Sequence, residues 1–261
     1  MVFKEQREEF AREGYLVFET GIADAVLDGI VSDLAGQYPI AGASTELSYQ
    51  GTNRLQDAWR ISANVKAVAL APKILNLLEG LYGRQPLPFQ TLNFRTGTEQ
   101  PPHSDAIHFN SIPEKFMCAV WVALEDMDMD NGPLVYYSGS HKLPEVRVDD
   151  LIDVEGSFLS RLFSRSNAQP PMSAADIYPV YKRFVAERIK DLNLSAGYAT
   201  IKKGQALLWA TNLLHGGAPQ KDKTRSRHSQ VTHYFFAGCR YYTPILSRGK
   251  NITWRDPSWV K

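Results

Sequence analysis

The chain has 261 residues, room for one large domain or two small ones at ~100–200 residues each. Its 44% hydrophobic and 22% charged residues describe an ordinary globular protein and exclude a disordered or fibrous one. With 29 Lys and Arg against 28 Asp and Glu, the net charge of +1 provides no overall field to recruit nucleic acid or an anionic membrane.

Two cysteines, Cys118 and Cys239, are too few and too far apart for a disulfide framework or a thiolate zinc site, so a reducing, cytoplasmic setting is expected. The N-terminus is charged from its fourth residue and lacks the apolar core of a signal peptide. No stretch approaches the ~18 uninterrupted apolar residues of a membrane span, and a soluble protein is expected.

Residues 1–86 read as mostly helical. Between Gly14 and Thr20 lies a short strand candidate, Tyr-Leu-Val-Phe. Apolar residues then recur at helical spacing over Ile22–Leu34 and over Ala67–Leu81. From 88 to 143 the character changes to short aromatic and β-branched runs, separated by turn clusters such as Pro101-Pro102 and Asp130-Asn131-Gly132-Pro133. Many short strands with Gly and Pro turns predict a sandwich or barrel. Residues 144–195 interrupt it with a polar stretch and a helical run over Ala174–Leu192. Strand signals resume across 197–236, in Tyr198–Ile201, Ala206–Ala210 and Ser229–Phe236. A β pattern that straddles an insertion predicts one domain, 1–261, carrying a helical excursion that could serve as a lid.

A single histidine is usually a surface or core hydrogen-bonder, and spacing is what lifts a subset of the six above that role. In His103-Ser104-Asp105, an extended backbone would send the imidazole and the carboxylate off one face, ~6.6 Å apart along the strand. His215, at the end of an apolar run and followed by Gly216-Gly217, is the third candidate ligand. Two imidazoles and one carboxylate leave three positions of an octahedral ion open, the set associated with non-haem Fe(II) oxygenases; a structural zinc site would be closed by a fourth ligand. Arg225 and Arg227 follow, either one able to clamp a carboxylate bidentately, and strand alternation does not choose between them.

The segments Asn93–Asp105, Trp121–Asp126, Asn131–Leu134, Gly139–Lys142 and His215–Gly217, together with the opening Glu9–Val17, resemble the phytanoyl-CoA dioxygenase family of Fe(II)/2-oxoglutarate oxygenases. The resemblance implies a mainly β fold with flanking helices around a double-stranded β-helix, a jelly-roll and cupin-like core. It implies His103, Asp105 and His215 as the iron ligands and catalytic centre, and Fe(II), 2-oxoglutarate and O2 as the reacting set. It selects Arg227 as the 2-oxoglutarate clamp, because the family's arginine precedes an aromatic pair by six residues and His233-Tyr234 stand at that distance. Trp121 matches a tryptophan lining the co-substrate pocket. The family often places a hydroxyl residue two after the distal histidine; Gly217 stands there, so Gln90, Thr91 or Asn93 is expected to supply the missing donor.

The expected activity is hydroxylation of an unactivated C–H in a small molecule, with release of succinate and CO2; the retained Asp105 separates this pattern from halogenases that lack the carboxylate. His108 and Phe109, just past the triad, are expected to meet the substrate, and Arg54, Arg60, Arg95 and Lys182 are cationic candidates for an anionic one. The contrasting readings are a non-catalytic cupin-like metal or small-molecule binding module, and a hydrolase or isomerase using the same ligands with another ion. Asp126–Asn131 imitates a calcium loop, but its glycine falls late and Tyr137 stands where the bidentate Glu belongs. His141 beside Ser140 lacks a nucleophile elbow and is expected to be structural.

Overall fold

The computed structural model describes residues 2–38, 54–151 and 173–261. Helix α1 (Val2–Glu13) ends at Gly14, whose φ of +81° turns the chain into strand β1 (Tyr15–Glu19). Helix α2 (Asp24–Leu34) follows, then β2 (Arg54–Gln56). The single helix expected over Ala67–Leu81 is instead two, α3 (Ala63–Ala69) and α4 (Pro72–Tyr82). Pro72 opens α4, where a missing N–H is harmless, and forces the preceding Ala71 out of helical geometry. Ser62 caps α3 by accepting from the Val65 N–H.

The strands are β3 (Pro86–Phe94), β4 (Asn110–Ile112), β5 (Met117–Ala123), β6 (Leu134–Tyr137), β7 (Ala196–Tyr198), β8 (Gln205–Ala210), β9 (His215–Gly217), β10 (Ser229–Phe236), β11 (Arg240–Tyr242) and β12 (Trp254–Arg255). The expected strand at 198–201 is shifted: pairing with β6 covers Ala196–Tyr198, after which Ala199 and Ile201 turn into the core. Helix α5 (Ala174–Asp191) starts at a capping box between Ser173 and Asp176. Residues 152–172 of the expected insertion lie outside the described residues.

Six strands form one antiparallel sheet in the order β1-β8-β5-β10-β3-β2. Two three-stranded sheets, β7-β6-β9 and β12-β11-β4, complete the double-stranded β-helix. All seven residues of β5 are buried, as a strand covered on both faces requires.

Alternation sorts the large sheet into two environments. Cys118, Val120 and Val122 of β5, with Leu208 of β8 and Phe236 of β10, pack against α2, α3 and α4. Gln230 and Tyr234 face the same way and hydrogen-bond the carbonyls of Val65 and Ala69. On the opposite face, Ala119, Trp121, Trp209 and Val231 turn inward toward the small sheets. Helix α5 lays Ile177, Tyr181 and Val185 against Val135 and Leu214, closing one side of the interior.

Ile74 in α4 is fully buried in the helix–sheet layer. Ile74→Ala is expected to cost about 2–5 kcal/mol, read as a lower urea midpoint at unchanged slope in equilibrium denaturation.

Candidate metal centre and co-substrate pocket

His103 and His215 meet through an isolated antiparallel bridge in which each N–H donates to the other's carbonyl, at 2.8 and 2.9 Å. Asp105 does not continue an extended strand as expected. It begins a 3₁₀ turn (Asp105–Ile107), capped by Ser104 accepting from the Ala106 N–H. The bridge and the turn, rather than side-chain alternation, bring the three groups together, with their ligand atoms all within 4.8 Å of one another. Among the described residues this is the one cluster of its kind.

The imidazoles are oriented by the backbone. His103 Nδ1 lies 3.0 Å from the Pro101 carbonyl and His215 Nδ1 3.0 Å from the Leu213 carbonyl. Each Nδ1 therefore carries the proton and donates, which leaves Nε2 with its lone pair available to an ion. Burial, reinforced by neighbouring His215, pulls His103 down to about 3, so it is a neutral ligand at physiological pH. Asp105 is only 5% exposed. Burial alone would raise its pKa, but His215, His233 and His103 outweigh it and hold the carboxyl well below its ordinary range. Trp209 Nε1 donates to Asp105 Oδ2 at 2.8 Å, and His233 Nε2 stands 3.7 Å from the same oxygen.

These groups open onto a cavity of about 630 Å³, a volume typical of small-molecule sites. Arg227 lines it at 4% exposure, between the rings of Phe94 and Trp121, each 5.6 Å from the guanidinium carbon. It donates to Ser229 Oγ at 3.4 Å and to the Thr96 carbonyl at 3.3 Å. Its Nε and the Trp121 Nε1 are buried donors without a hydrogen-bond partner among the described residues. Two such donors on one wall call for an acceptor in the cavity. Burial lowers Arg227 to about 10, which still leaves it charged at neutral pH. Arg225, which parity did not separate from it, lies in the turn ahead of β10 and pairs with Asp128 at 2.8 Å. Alternation could not decide because the strand begins only at Ser229.

Gln90 lines the cavity with Leu92 and Phe94. Asn93 does not, and neither does Thr91: their odd positions on β3 face the helices, where Asn93 Nδ2 donates to Gln230 Oε1 at 3.3 Å. The expectation that Asn93 binds the co-substrate is therefore corrected by strand parity. A side chain at 217 is excluded, because a Cβ there would come within 2.9 Å of both the Glu99 nitrogen and Thr98 Oγ1. The hydroxyls on the cavity side come instead from Thr98, a lining residue, and from Ser229 against Arg227.

His108 and Phe109 both line the cavity, and burial lowers His108 to about 4. Of the four cationic candidates, only Arg54 lines it. Arg60 stacks on Trp59, Lys182 stands over the Tyr178 ring, and Arg95 is exposed. His141 is structural, its Nε2 3.2 Å from the Ala11 carbonyl. Trp209, His233, Ser229 and Tyr178 escaped the sequence reading. The Arg227-x-Ser229 spacing was the one available signal, since Trp209 reaches Asp105 only through pairing of β8 with β5.

A jelly-roll core whose interior gathers two histidines, one aspartate and a buried arginine defines the non-haem iron class of oxygenase folds. The sequence profile described as phytanoyl-CoA dioxygenase (PhyH) matches residues 10–229, and the chain belongs to that family, whose members are non-haem iron, 2-oxoglutarate-dependent oxygenases. A curated relative, phytanoyl-CoA dioxygenase domain-containing protein 1 of Danio rerio, is 26% identical over 200 residues, covering 75% of this chain and 57% of its own length. The chain thus spans little more than half the length of that relative. Among solved structures, the α-ketoglutarate-dependent epimerase SnoN of nogalamycin biosynthesis superposes with a TM-score of 0.65 at 15% identity, over 100% of this chain and 99% of that one. EctD from S. alaskensis, solved with 2-oxoglutarate and 5-hydroxyectoine, gives 0.63 at 18% identity, over 97% and 84%. Among the described residues no helix is long and apolar enough to cross a membrane.

Trp209→Phe removes the indole donor from Asp105. Weakening of Mn(II) binding by ~10–100-fold is expected, measured by titration on protein whose circular dichroism matches wild type.

Proposed function

We propose that the chain is an Fe(II)/2-oxoglutarate-dependent dioxygenase that hydroxylates an unactivated C–H of a small molecule, and that residues 1–261 act as one catalytic unit. The observation that carries this reading is the sharing of one cavity by the His103–Asp105–His215 group and a buried Arg227 with an unmet donor. A binding module or a hydrolase built on the same ligands gives Arg227 no carboxylate to hold.

His103 and His215 would hold the iron through Nε2, because their Nδ1 atoms are committed to backbone carbonyls. Asp105, held by Trp209, would supply the anionic ligand and keep a halide out of its place. When bound, Fe(II) and 2-oxoglutarate react with O2 so that one oxygen atom enters the substrate C–H bond and the other enters succinate, with loss of CO2. Arg227 would pair with the distal carboxylate of 2-oxoglutarate, with Ser229 steadying the guanidinium and Trp121 donating nearby. Leu92, Phe94 and Val231 exclude water around this pair, which strengthens it. His108, neutral, and Phe109 stand on the substrate side of the cavity.

His215→Ala is expected to abolish succinate formation. Arg227→Gln is expected to raise the KM for 2-oxoglutarate ~10–100-fold, the range for a lost charged hydrogen bond, whereas Arg225→Gln leaves it unchanged. Anaerobic wild-type protein with Fe(II) should develop a weak visible charge-transfer band on addition of 2-oxoglutarate, and its absence would overturn the oxygenase reading.

A further inference from the structure

Tyr181 is a polar side chain at 1% exposure that none of the steps above uses. It lies on α5, in the seam where Ile177, Tyr181 and Val185 recur at every fourth position and pack against Val135 and Leu214. A phenylalanine would fill that seam equally well, and a buried hydroxyl is unfavourable unless it is bonded. The hydroxyl is therefore the feature that needs a reason.

That hydroxyl meets Ser104, the residue that separates His103 from Asp105. The Ser104 N–H donates to Tyr181 Oη at 2.8 Å, and the same hydroxyl donates toward the Ser104 carbonyl at 3.4 Å. One hydroxyl, acting as acceptor and donor, thus grips the peptide groups on both sides of Ser104. The Ser104 side chain is tied the other way: its Oγ stands 3.2 Å from both the Thr211 carbonyl and Asn212 Oδ1, and it accepts from the Ala106 N–H at 3.1 Å. One turn earlier on α5, the Tyr178 hydroxyl accepts from Gln100 Nε2 at 3.4 Å, so the helix meets the ligand segment twice.

We propose that Tyr181 is a positioning residue for the metal centre: its hydroxyl holds the backbone between His103 and Asp105 so that the imidazole and the carboxylate converge on one ion. Helix α5, in the excursion that the sequence offers as a lid, is then a clamp on the ligand loop. The proposal rests on the reading of His103, Asp105 and His215 as metal ligands. Without the hydroxyl a buried N–H loses its acceptor, and the loop gains freedom where ligand geometry tolerates displacements of only ~0.5 Å.

The test uses the full chain under anaerobic conditions, with Mn(II) alone followed by the electron paramagnetic resonance of the free ion, and Co(II) alone followed by its visible d–d bands. Tyr181→Phe keeps the ring in the seam and is expected to match wild type in circular dichroism, to bind Mn(II) about tenfold or more weakly, and to show altered Co(II) bands. Tyr181→Leu, a second side chain without a hydroxyl, should show the same loss of affinity. Val185→Ala loosens the same seam without touching the hydroxyl: its urea midpoint should fall, while Mn(II) affinity stays within about twofold of wild type and the Co(II) bands do not change. Unaltered Mn(II) affinity and Co(II) bands in the Phe variant, or a loss of affinity as large in Val185→Ala as in Tyr181→Phe, would overturn the proposal. Wild-type protein that binds neither Mn(II) nor Co(II) would instead overturn the metal-centre reading on which it rests.

Discussion

A carboxylate that is 5% exposed and ionised is the constraint around which this interior is arranged. Taking Asp105 out of water is unfavourable by several kcal/mol unless the anion is met by donors and positive charge. The fold supplies the donors from separate strands: the Trp209 indole from β8 at 2.8 Å, and His233 from β10 close to the same oxygen. The remaining lone pairs point where His103 and His215 also direct theirs. The backbone bridge between those two histidines fixes the spacing of their side chains, and the Pro101 and Leu213 carbonyls fix their tautomers. The donor set of two nitrogens and one oxygen suits a cation that keeps positions open.

Alternation in the large sheet keeps that chemistry apart from the work of stability. Even-numbered residues of β5, β8 and β10 serve the helix layer and odd-numbered ones the opposite, cavity-side face, while on β3 the parity is reversed, with Gln90, Leu92 and Phe94 lining the cavity. A one-residue slip of β10 would carry Tyr234 into the site and His233 into the apolar layer. Two polar contacts resist it: Gln230 and Tyr234 bond to the carbonyls of Val65 and Ala69 on the helix side. The apolar layer therefore also sets the register that presents Ser229, Val231 and His233 to the cavity.

Elements of strong periodicity could be read from the chain alone. Strand β10 and helix α5 fall within a residue of where patterning puts them. The long helix over Ala67–Leu81 failed at Pro72, where a breaker outweighs a continuous apolar stripe. His103 and Asp105 come together through a different geometry from the extended strand expected, since a bridge to a residue more than a hundred positions away fixes His103 and a 3₁₀ turn places Asp105. Alternation could not separate Arg225 from Arg227 because both precede the strand, whereas on β3 it removes Asn93 from the cavity. Trp209 was unreadable: an indole in an apolar run looks like core until strand pairing shows which oxygen its N–H meets.

The part of the cavity nearest the metal ligands is built from segments that carry the family pattern, whereas Thr243, Ile245, Leu246 and Arg255 come from beyond it. That division has a physical basis. Ligand geometry tolerates little displacement, so His103 and His215 are locked by their backbone bridge and Asp105 by a capped 3₁₀ turn. The outer wall of the cavity is assembled differently, from a short edge strand, a 3₁₀ turn at Pro244–Leu246 and the face of α5 bearing Tyr178. Such elements can change length and composition without disturbing the register of β3, β5 and β10.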